Sequence, residues 1–472
     1  MKEEKKNIQE LTYIKIIKWW LVFILLYMPF QHTIYIIAKL WSSKLSTFLN
    51  RLDELTIVIL LPVAIKEFYR SKDVPLRLYC YLSLPIFALI ITGFIAGAVN
   101  VNPFFITVHG MFDYIKYILV IYIYAAFFRD VSELNKVLRG LLIVAVLLGA
   151  AAFIQEVWAV SNRYILQKNI VNIDYLDLGY FVKGDPKLMH EAGDERLTWK
   201  LGLYRVPSLL FNGVGSGLYA LLIFTLYMCI AKKDNLFVVF CLLSGIVGSI
   251  SRIVYSGFLF VSGWLIIKGR KWLLLLLIPV GLLLYGLSFE YDFNIWQFSK
   301  SAIVKTEERG SANSDWGLVS YRTYTKEKAL NIWKDHPVWG AGPGTYGGPI
   351  SIDYKSSLYE KYNFDPKAKY MLEKWGSIDQ FWPQILAELG VAGVICFTGF
   401  FIVLSLTLIM LIKKTFLYEE RGVLTGLLVY LVVILLYTLG YTLNISPIIF
   451  TYFALVGISL SCASRINREA SK

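Results

Sequence analysis

Apolar runs long enough to cross a lipid bilayer recur along almost the whole chain. A transmembrane helix needs roughly 20 such residues, and the runs predict about 12 helices of this kind. Backbone polar groups inside a bilayer must be paired within the segment, which a helix achieves. Only 17% of the 472 residues are charged, whereas soluble domains average about 25%. We therefore predict an all-α polytopic integral membrane protein.

The apolar runs divide the chain into three parts. Residues 1–288 carry predicted helices one to nine, with a polar loop at about 161–206. Residues 289–383 form one large loop, and residues 384–472 carry helices ten to twelve and a tail. Long loops are usually functional or disordered, but this one is rich in tryptophan. It also contains a helix-like stretch from Thr323 to Trp333, followed by Gly340, Gly342 and Gly344. These features predict an ordered segment.

The distribution of Lys and Arg predicts the orientation in the membrane. Predicted inner loops carry basic clusters such as Lys232 with Lys233, whereas the short outer connections 100–105 and 441–444 carry none. The outer loop 38–52 departs from this pattern, since it contains Lys39, Lys44 and Arg51. The positive-inside rule then places both termini in the cytoplasm and both long loops outside. The net charge of +13 reflects this topology and predicts no nucleic-acid partner.

Three arginines on the predicted outer side could bind an anion. Arg252 lies in the short connection GSISRIVYSG, where a guanidinium is costly unless it is paired or reaches the interface. Its planar fork suits a diphosphate, although Arg252 could equally mark a helix end. Arg205 precedes the glycine-rich stretch VPSLLFNGVGSG, and Arg322 opens the helix-like stretch of the large loop.

Two carboxylates near the start of the tenth helix could act on a hydroxyl group. Asp379 precedes this helix and Glu388 follows nine residues later. Either could accept a proton from an attacking hydroxyl, and either could simply interact with the helix N-terminus. The four histidines show no metal-site spacing, so we expect no metal and no other cofactor.

Three segments together resemble the O-antigen ligase and polymerase family of bacterial membrane glycosyltransferases. They are the Ser251-Arg252 step, the stretch from Arg322 to Gly344, and the stretch from Asp379 to Gly393. In family ligases the last stretch begins with a histidine, followed by Gly-x-x-Gly. Here Asp379 takes the place of that histidine, and Gly390-Val391-Ala392-Gly393 keeps the glycine spacing. Members that polymerise repeat units often have Asp at this place, so the resemblance favours a polymerase.

The resemblance implies a GT-C-like fold and a metal-independent, inverting transfer from an undecaprenyl-diphosphate-linked glycan. Arg205, Arg252 and Arg322 would bind the diphosphate, while Asp379 would orient or deprotonate the acceptor hydroxyl. The active site would face the outside of the bacterial cytoplasmic membrane. The product would be a surface polysaccharide such as capsule, O-antigen or teichuronic acid, and a flippase and a chain-length regulator would be partners.

Two alternatives remain open from the sequence. A ligase would transfer finished polymer to a terminal acceptor. A lipid-linked sugar flippase or other transporter would have a similar number of spans, but transporters commonly show two related halves with polar groups at mid-membrane. Here the polar segments gather on one predicted side, which favours an enzyme.

Overall fold

A computed structural model describes residues 2–70, 76–161, 199–200, 203–204, 208, 213–289, 318–375, 377–378, 380–443 and 446–469. Most of the described residues are helical. The sheet among them is a pair of two-residue antiparallel strands, β1 (Trp199–Lys200) and β2 (Leu203–Tyr204). Two of the predicted site residues, Arg205 and Asp379, lie outside the described residues.

A helix occupies each predicted apolar segment. The first half contains α1 (Lys2–Tyr27), α2 (Gln31–Trp41), α3 (Ser43–Asn50), α4 (Leu52–Arg70), α5 (Leu76–Val99), α6 (Phe104–Phe127) and α7 (Val131–Val160). After the strands come α8 (Gly213–Ile230), α9 (Leu236–Gly248), α10 (Arg252–Ile267) and α11 (Leu274–Phe289). The large loop contributes α12 (Leu318–Asp335), α13 (Pro349–Asp353), α14 (Leu358–Lys361) and α15 (Pro366–Trp375). The chain continues with α16 (Phe381–Lys414), α17 (Tyr418–Thr438) and α18 (Ser446–Glu469).

Within the described residues, seven helical segments are long and apolar enough to cross a membrane, and four shorter apolar helices accompany them. The seven include α5, α6, α16 and α17, and the shorter four lie between Val214 and Leu282. Helix α4 is in neither group, and it carries charged residues at both ends, from Asp53 to Arg70. The structure therefore supports a polytopic membrane protein with seven long candidate spans, compared with the predicted total of about 12.

Helix α18 lies at the centre of the bundle. In its apolar part, Ser446–Ala463, 89% of the residues are buried by other helices, and it packs most extensively on α6. The two backbones approach closely, because a Cβ added at Gly457 would lie 2.3 Å from the carbonyl oxygen of Ile121. Small residues permit such contacts between membrane helices, where dispersion forces rather than water exclusion drive packing.

The connections predicted to face the cytoplasm meet at one end of the bundle, here called the basic face. Lys18 of α1 pairs with Glu133 of α7 at 2.6 Å, and Arg465 of α18 pairs with Asp130. The basic face thus joins the N-terminal and C-terminal helices to α7.

Residues 318–378 pack at the other end, here called the loop face. They enclose a second hydrophobic core that includes Tyr321, Ile332, Tyr346, Tyr359 and Leu372. Helix α12 contains the predicted helical stretch, and Gly340, Gly342 and Gly344 all have positive φ. The helix-like stretch and the glycine-rich turn after it are therefore found in the structure, within residues 318–344.

Candidate active site

A glycine-rich loop, residues 336–348, docks into a break in α16. At Gly390 the backbone has φ 61° and ψ −162°, which interrupts the helical hydrogen bonds. The freed carbonyls of Ala387 and Glu388 accept from the N–H groups of Ala341 and Gly342, each at 2.8 Å. On the other side of the break, the N–H groups of Val391 and Ala392 donate to the carbonyls of Pro337 and Val338, each at 3.1 Å. The loop therefore supplies hydrogen-bond partners for four backbone groups of α16 at the break.

The close approach of the loop and α16 requires glycine on both sides. A Cβ at Gly390 would lie 2.4 Å from the carbonyl oxygen of Val338, and a Cβ at Gly340 would lie 2.3 Å from the carbonyl carbon of Glu388. Both residues also have positive φ, which a residue with a side chain rarely adopts. Gly390, the first glycine of the Gly-x-x-Gly motif, therefore allows the loop to pack closely against α16.

Glu388 is an anchor for this loop. It is only 1% exposed, and its two carboxylate oxygens accept hydrogen bonds from Tyr114 Oη and from the N–H of Tyr346, each at 2.6 Å. Burial, together with the neighbouring Tyr359, raises the pKa of Tyr346 well above its ordinary value, and its hydroxyl donates to the carbonyl of Thr325 at 2.5 Å. The sequence predicted that Glu388 either accepts a proton from a hydroxyl or interacts with the helix N-terminus. In the structure it does neither, because its carboxylate binds the glycine-rich loop and does not face an open site.

The connection between α5 and α6 holds the other side of the loop. The side-chain amides of Asn100 and Asn102 donate to the carbonyls of Gly340 and Ala341 at 2.9 and 2.7 Å. These bonds, with those of Glu388, join α5, α6 and α16 through one loop.

Arg322 of α12 lies beside the start of α16 and the end of α17. Its guanidinium lies over the ring of Tyr441, 4.8 Å from the centroid, and that ring stacks on Tyr437 at 5.0 Å. Gln380, the residue that caps α16, donates its side-chain amide to the carbonyl of Arg322 at 3.1 Å. The sequence-predicted arginine thus contacts the residue directly after Asp379.

Arg252 is the first residue of α10, at the same end of the bundle. A Cβ added at Gly440 would lie 3.5 Å from the side chain of Ile253, so the start of α10 adjoins the α17–α18 connection that carries Tyr441. Ile250, two residues before Arg252, has φ 39°, which is strained for a β-branched residue. The structure therefore places the start of α10, which carries Arg252, and the side chain of Arg322 near the same short connection.

A small cavity of about 40 Å³ lies between α6, α16 and the α17–α18 connection. Its polar lining is Asp113, Gln384 and Thr442, and most of the remaining lining is aromatic. Thr442 directly follows Tyr441, and Phe381, which also lines the cavity, lies two residues after Asp379. The cavity therefore lies beside the α17–α18 connection, whose Tyr441 contacts Arg322.

Sequence analysis missed the charged residues on the α6 side of this cavity. Lys116 pairs with Asp113 at 2.5 Å and with Glu54 of α4 at 2.8 Å. Nearby, Asp53 accepts hydrogen bonds from Tyr117 and Gln31 at 3.1 and 3.2 Å. The signal was present, because two charged residues spaced three apart inside an apolar run are rare and usually functional.

The fold defines a multi-pass membrane protein, and a small cavity with polar and aromatic lining lies near its loop face. Residues 237–398, from α9 to the middle of α16, match the protein family described as O-antigen ligase. The matched segment contains Arg252, Arg322 and the Gly390–Gly393 motif, so the resemblance found in the sequence is confirmed there. The match supports a membrane enzyme of the glycosyltransferase kind. The chain matches none of the curated proteins compared with it.

Proposed function

We propose that this protein is a bacterial cell-surface polysaccharide polymerase. It transfers glycan from undecaprenyl diphosphate to the hydroxyl of an acceptor glycan, at the outer face of the cytoplasmic membrane. A flippase that delivers the substrate and a regulator of chain length are the partners expected for such an enzyme.

The position of Arg322 carries this proposal. The guanidinium lies on Tyr441, and the backbone of Arg322 is bonded to Gln380, next to Asp379. Arg252 begins a helix that adjoins the α17–α18 connection. An arrangement of cations around the start of α16 supports a site in which a diphosphate leaves beside a carboxylate base.

The proposed reaction is a single displacement. The acceptor hydroxyl oxygen attacks the anomeric carbon, the bond from that carbon to the diphosphate oxygen breaks, and Asp379 takes the hydroxyl proton. Negative charge then grows on the departing diphosphate, and Arg205, Arg252 and Arg322 stabilise it. Attack opposite the leaving group inverts the anomeric configuration, and the arginines supply the positive charge without a metal.

The proposed orientation follows from the charges at the basic face. Lys18, Arg465 and their neighbours meet there, and basic residues favour the cytoplasmic side. The loop face and the active site would then be extracytoplasmic, with both termini inside the cell.

The test is to measure surface polysaccharide and lipid-linked intermediates in cells that carry wild type, a deletion, Arg252→Ala, Arg322→Ala or Asp379→Ala. For a polymerase, the deletion and the three variants accumulate single lipid-linked repeat units at the outer leaflet and make no polymer. Accumulation of long lipid-linked polymer would identify a ligase instead. Units that remain on the inner leaflet would identify a transporter.

Lys326→Ala is the matched control for Arg322→Ala. Lys326 lies one turn further along α12 and is exposed, so its loss removes the same charge from the same helix. Normal polymer length in this variant, with none in Arg322→Ala, would assign the effect to the position of Arg322 rather than to the charge of α12.

A further inference from the structure

A second cavity opens on the loop face, between α3, α4 and Phe112 of α6. It is a groove of about 620 Å³, which is within the size range of ligand sites. We call it the α3–α4 groove. Its polar lining includes Ser43, Lys44, Thr47 and Arg51.

The polar residues of the groove lie on α3 and directly after it. Ser43 and Thr47 are four residues apart on α3, so they lie on one helical face, and Arg51 follows the end of the helix at Asn50. Lys44 adjoins them and is exposed, as is Arg51. The Thr47 hydroxyl donates to the carbonyl of Ser43 at 2.9 Å. Two cations and the Ser43 hydroxyl thus line the groove, where they can donate hydrogen bonds to phosphate oxygens.

The other wall of the groove is apolar and open. Leu55 and Val58 of α4 are 38% and 57% exposed, and Phe48 of α3 is 53% exposed. In a membrane bundle, exposed apolar residues on a helix contact lipid tails. A ligand with an anionic head group and a long hydrocarbon chain is therefore complementary to the groove along its whole length.

The groove also accounts for the exception in the charge distribution. Loop 38–52 contains three basic residues, although basic residues are normally depleted from outer loops. Two of the three, Lys44 and Arg51, line the groove. A phosphate ligand at this position would compensate for their charge.

A chain of ion pairs connects the groove to the cavity of the candidate active site. Glu54 lines the groove and pairs with Lys116 at 2.8 Å. Lys116 in turn pairs with Asp113, which lines the small cavity. A lipid head group in the groove would therefore lie next to the site that contains Arg322 and the start of α16.

We propose that the α3–α4 groove binds the phosphate head group of a polyisoprenoid lipid, at a site separate from Arg252 and Arg322. Lys44 and Arg51 bind the phosphate, Ser43 donates a hydrogen bond to it, and the chain extends along Leu55 and Val58. The identity of the lipid rests on the proposed function, whereas the existence of the site does not. In a polymerase this site holds a second lipid-carried substrate beside the reaction centre.

The test uses the full-length protein in phosphatidylcholine nanodiscs, with undecaprenyl phosphate as the probe. Native mass spectrometry counts bound lipids, and a fluorescence titration measures affinity. We expect the double variant Lys44→Ala/Arg51→Ala to bind one lipid fewer than wild type and to weaken the affinity of the groove about tenfold or more. Val58→Trp, which fills the lipid-exposed wall and leaves both cations in place, is expected to lower binding as well.

The matched control removes two positive charges elsewhere on the loop face, Lys39→Ala with Lys326→Ala, and should bind like wild type. Unchanged binding in Lys44→Ala/Arg51→Ala would overturn the proposal. So would displacement of undecaprenyl phosphate by an equal mole fraction of phosphatidylglycerol, because the groove would then be a general anionic-phospholipid site.

Failure of the proposed function can be distinguished from failure of the groove proposal. If Arg252→Ala and Arg322→Ala cells still make polymer while Lys44→Ala/Arg51→Ala loses its lipid, the polymerase mechanism is wrong and the groove remains. If those cells make no polymer but the groove variants bind normally, only the groove proposal is wrong.

Discussion

The hydroxyl of Tyr114 in α6 donates a hydrogen bond of 2.6 Å to the buried carboxylate of Glu388 in α16. The other oxygen of this carboxylate accepts from the N–H of Tyr346 in the glycine-rich loop. One side chain therefore holds the bundle and the loop-face segment together. Both bonds are shielded from water, so their loss leaves donors that water cannot easily satisfy.

Glu388→Ala should destabilise the protein. It leaves Tyr114 Oη and the N–H of Tyr346 without their acceptor, and each buried unpaired group costs about 1–3 kcal/mol. We expect a lower thermal midpoint in detergent, with a smaller effect for Glu388→Gln, whose amide oxygen can still accept one bond. Glu373→Ala is the control, because the side chain of Glu373 in α15 is exposed. Equal midpoints for Glu388→Ala and wild type would contradict this account of the anchor.

Gly390→Ala should loosen the glycine-rich loop. The new methyl group would collide with the carbonyl of Val338 and would strain a backbone at φ 61°. We expect a lower thermal midpoint and faster proteolysis within residues 318–378. Gly263→Ala is the control, because a Cβ there meets no atom within 4 Å. Resistance to protease equal to that of wild type would show that the close contact is not needed for docking.

Tyr441→Ala should reduce transfer activity through Arg322. The aromatic ring supports the guanidinium by a cation–π contact of about 0.5–2 kcal/mol, and without it the guanidinium loses its fixed position. We expect a decrease in polymer formation with little change in thermal midpoint. Tyr441→Phe keeps the ring and should retain activity. A full loss in Tyr441→Phe would instead indicate that the hydroxyl is the important group.

Lys116→Met should be destabilising. It leaves Asp113 and Glu54 without their cation, and because both carboxylates are partly exposed we expect a cost below the roughly 3–5 kcal/mol of a fully buried pair. The triple variant Lys116→Met/Asp113→Asn/Glu54→Gln also neutralises the two carboxylates. Its thermal midpoint should therefore be well above that of Lys116→Met and closer to that of wild type. A triple variant that is as unstable as Lys116→Met alone would mean that packing of the lysine, rather than its charge, stabilises α4 against α6.

Much of the fold could be predicted because its signals are local. Helix α5, for example, occupies Leu76–Val99, because a long apolar run has few alternatives in a bilayer. The sequence also predicts a helix-like stretch followed by Gly340, Gly342 and Gly344, and all three glycines have positive φ. Arg322 could be singled out because it opens this helix-like stretch, which the structure contains as α12.

The role of Glu388 and the ion pairs of Lys116 could not be predicted in the same way. Glu388 and Tyr114 are separated by 274 residues, and Lys116 and Glu54 by 62, so no local pattern reports these contacts. The sequence alone determined where helices form and which side of each is apolar, because bilayer thickness and backbone hydrogen bonding act within a segment. Only the tertiary structure decided which buried polar groups become partners, because each must find its hydrogen bond or counter-charge on whichever distant helix packs beside it.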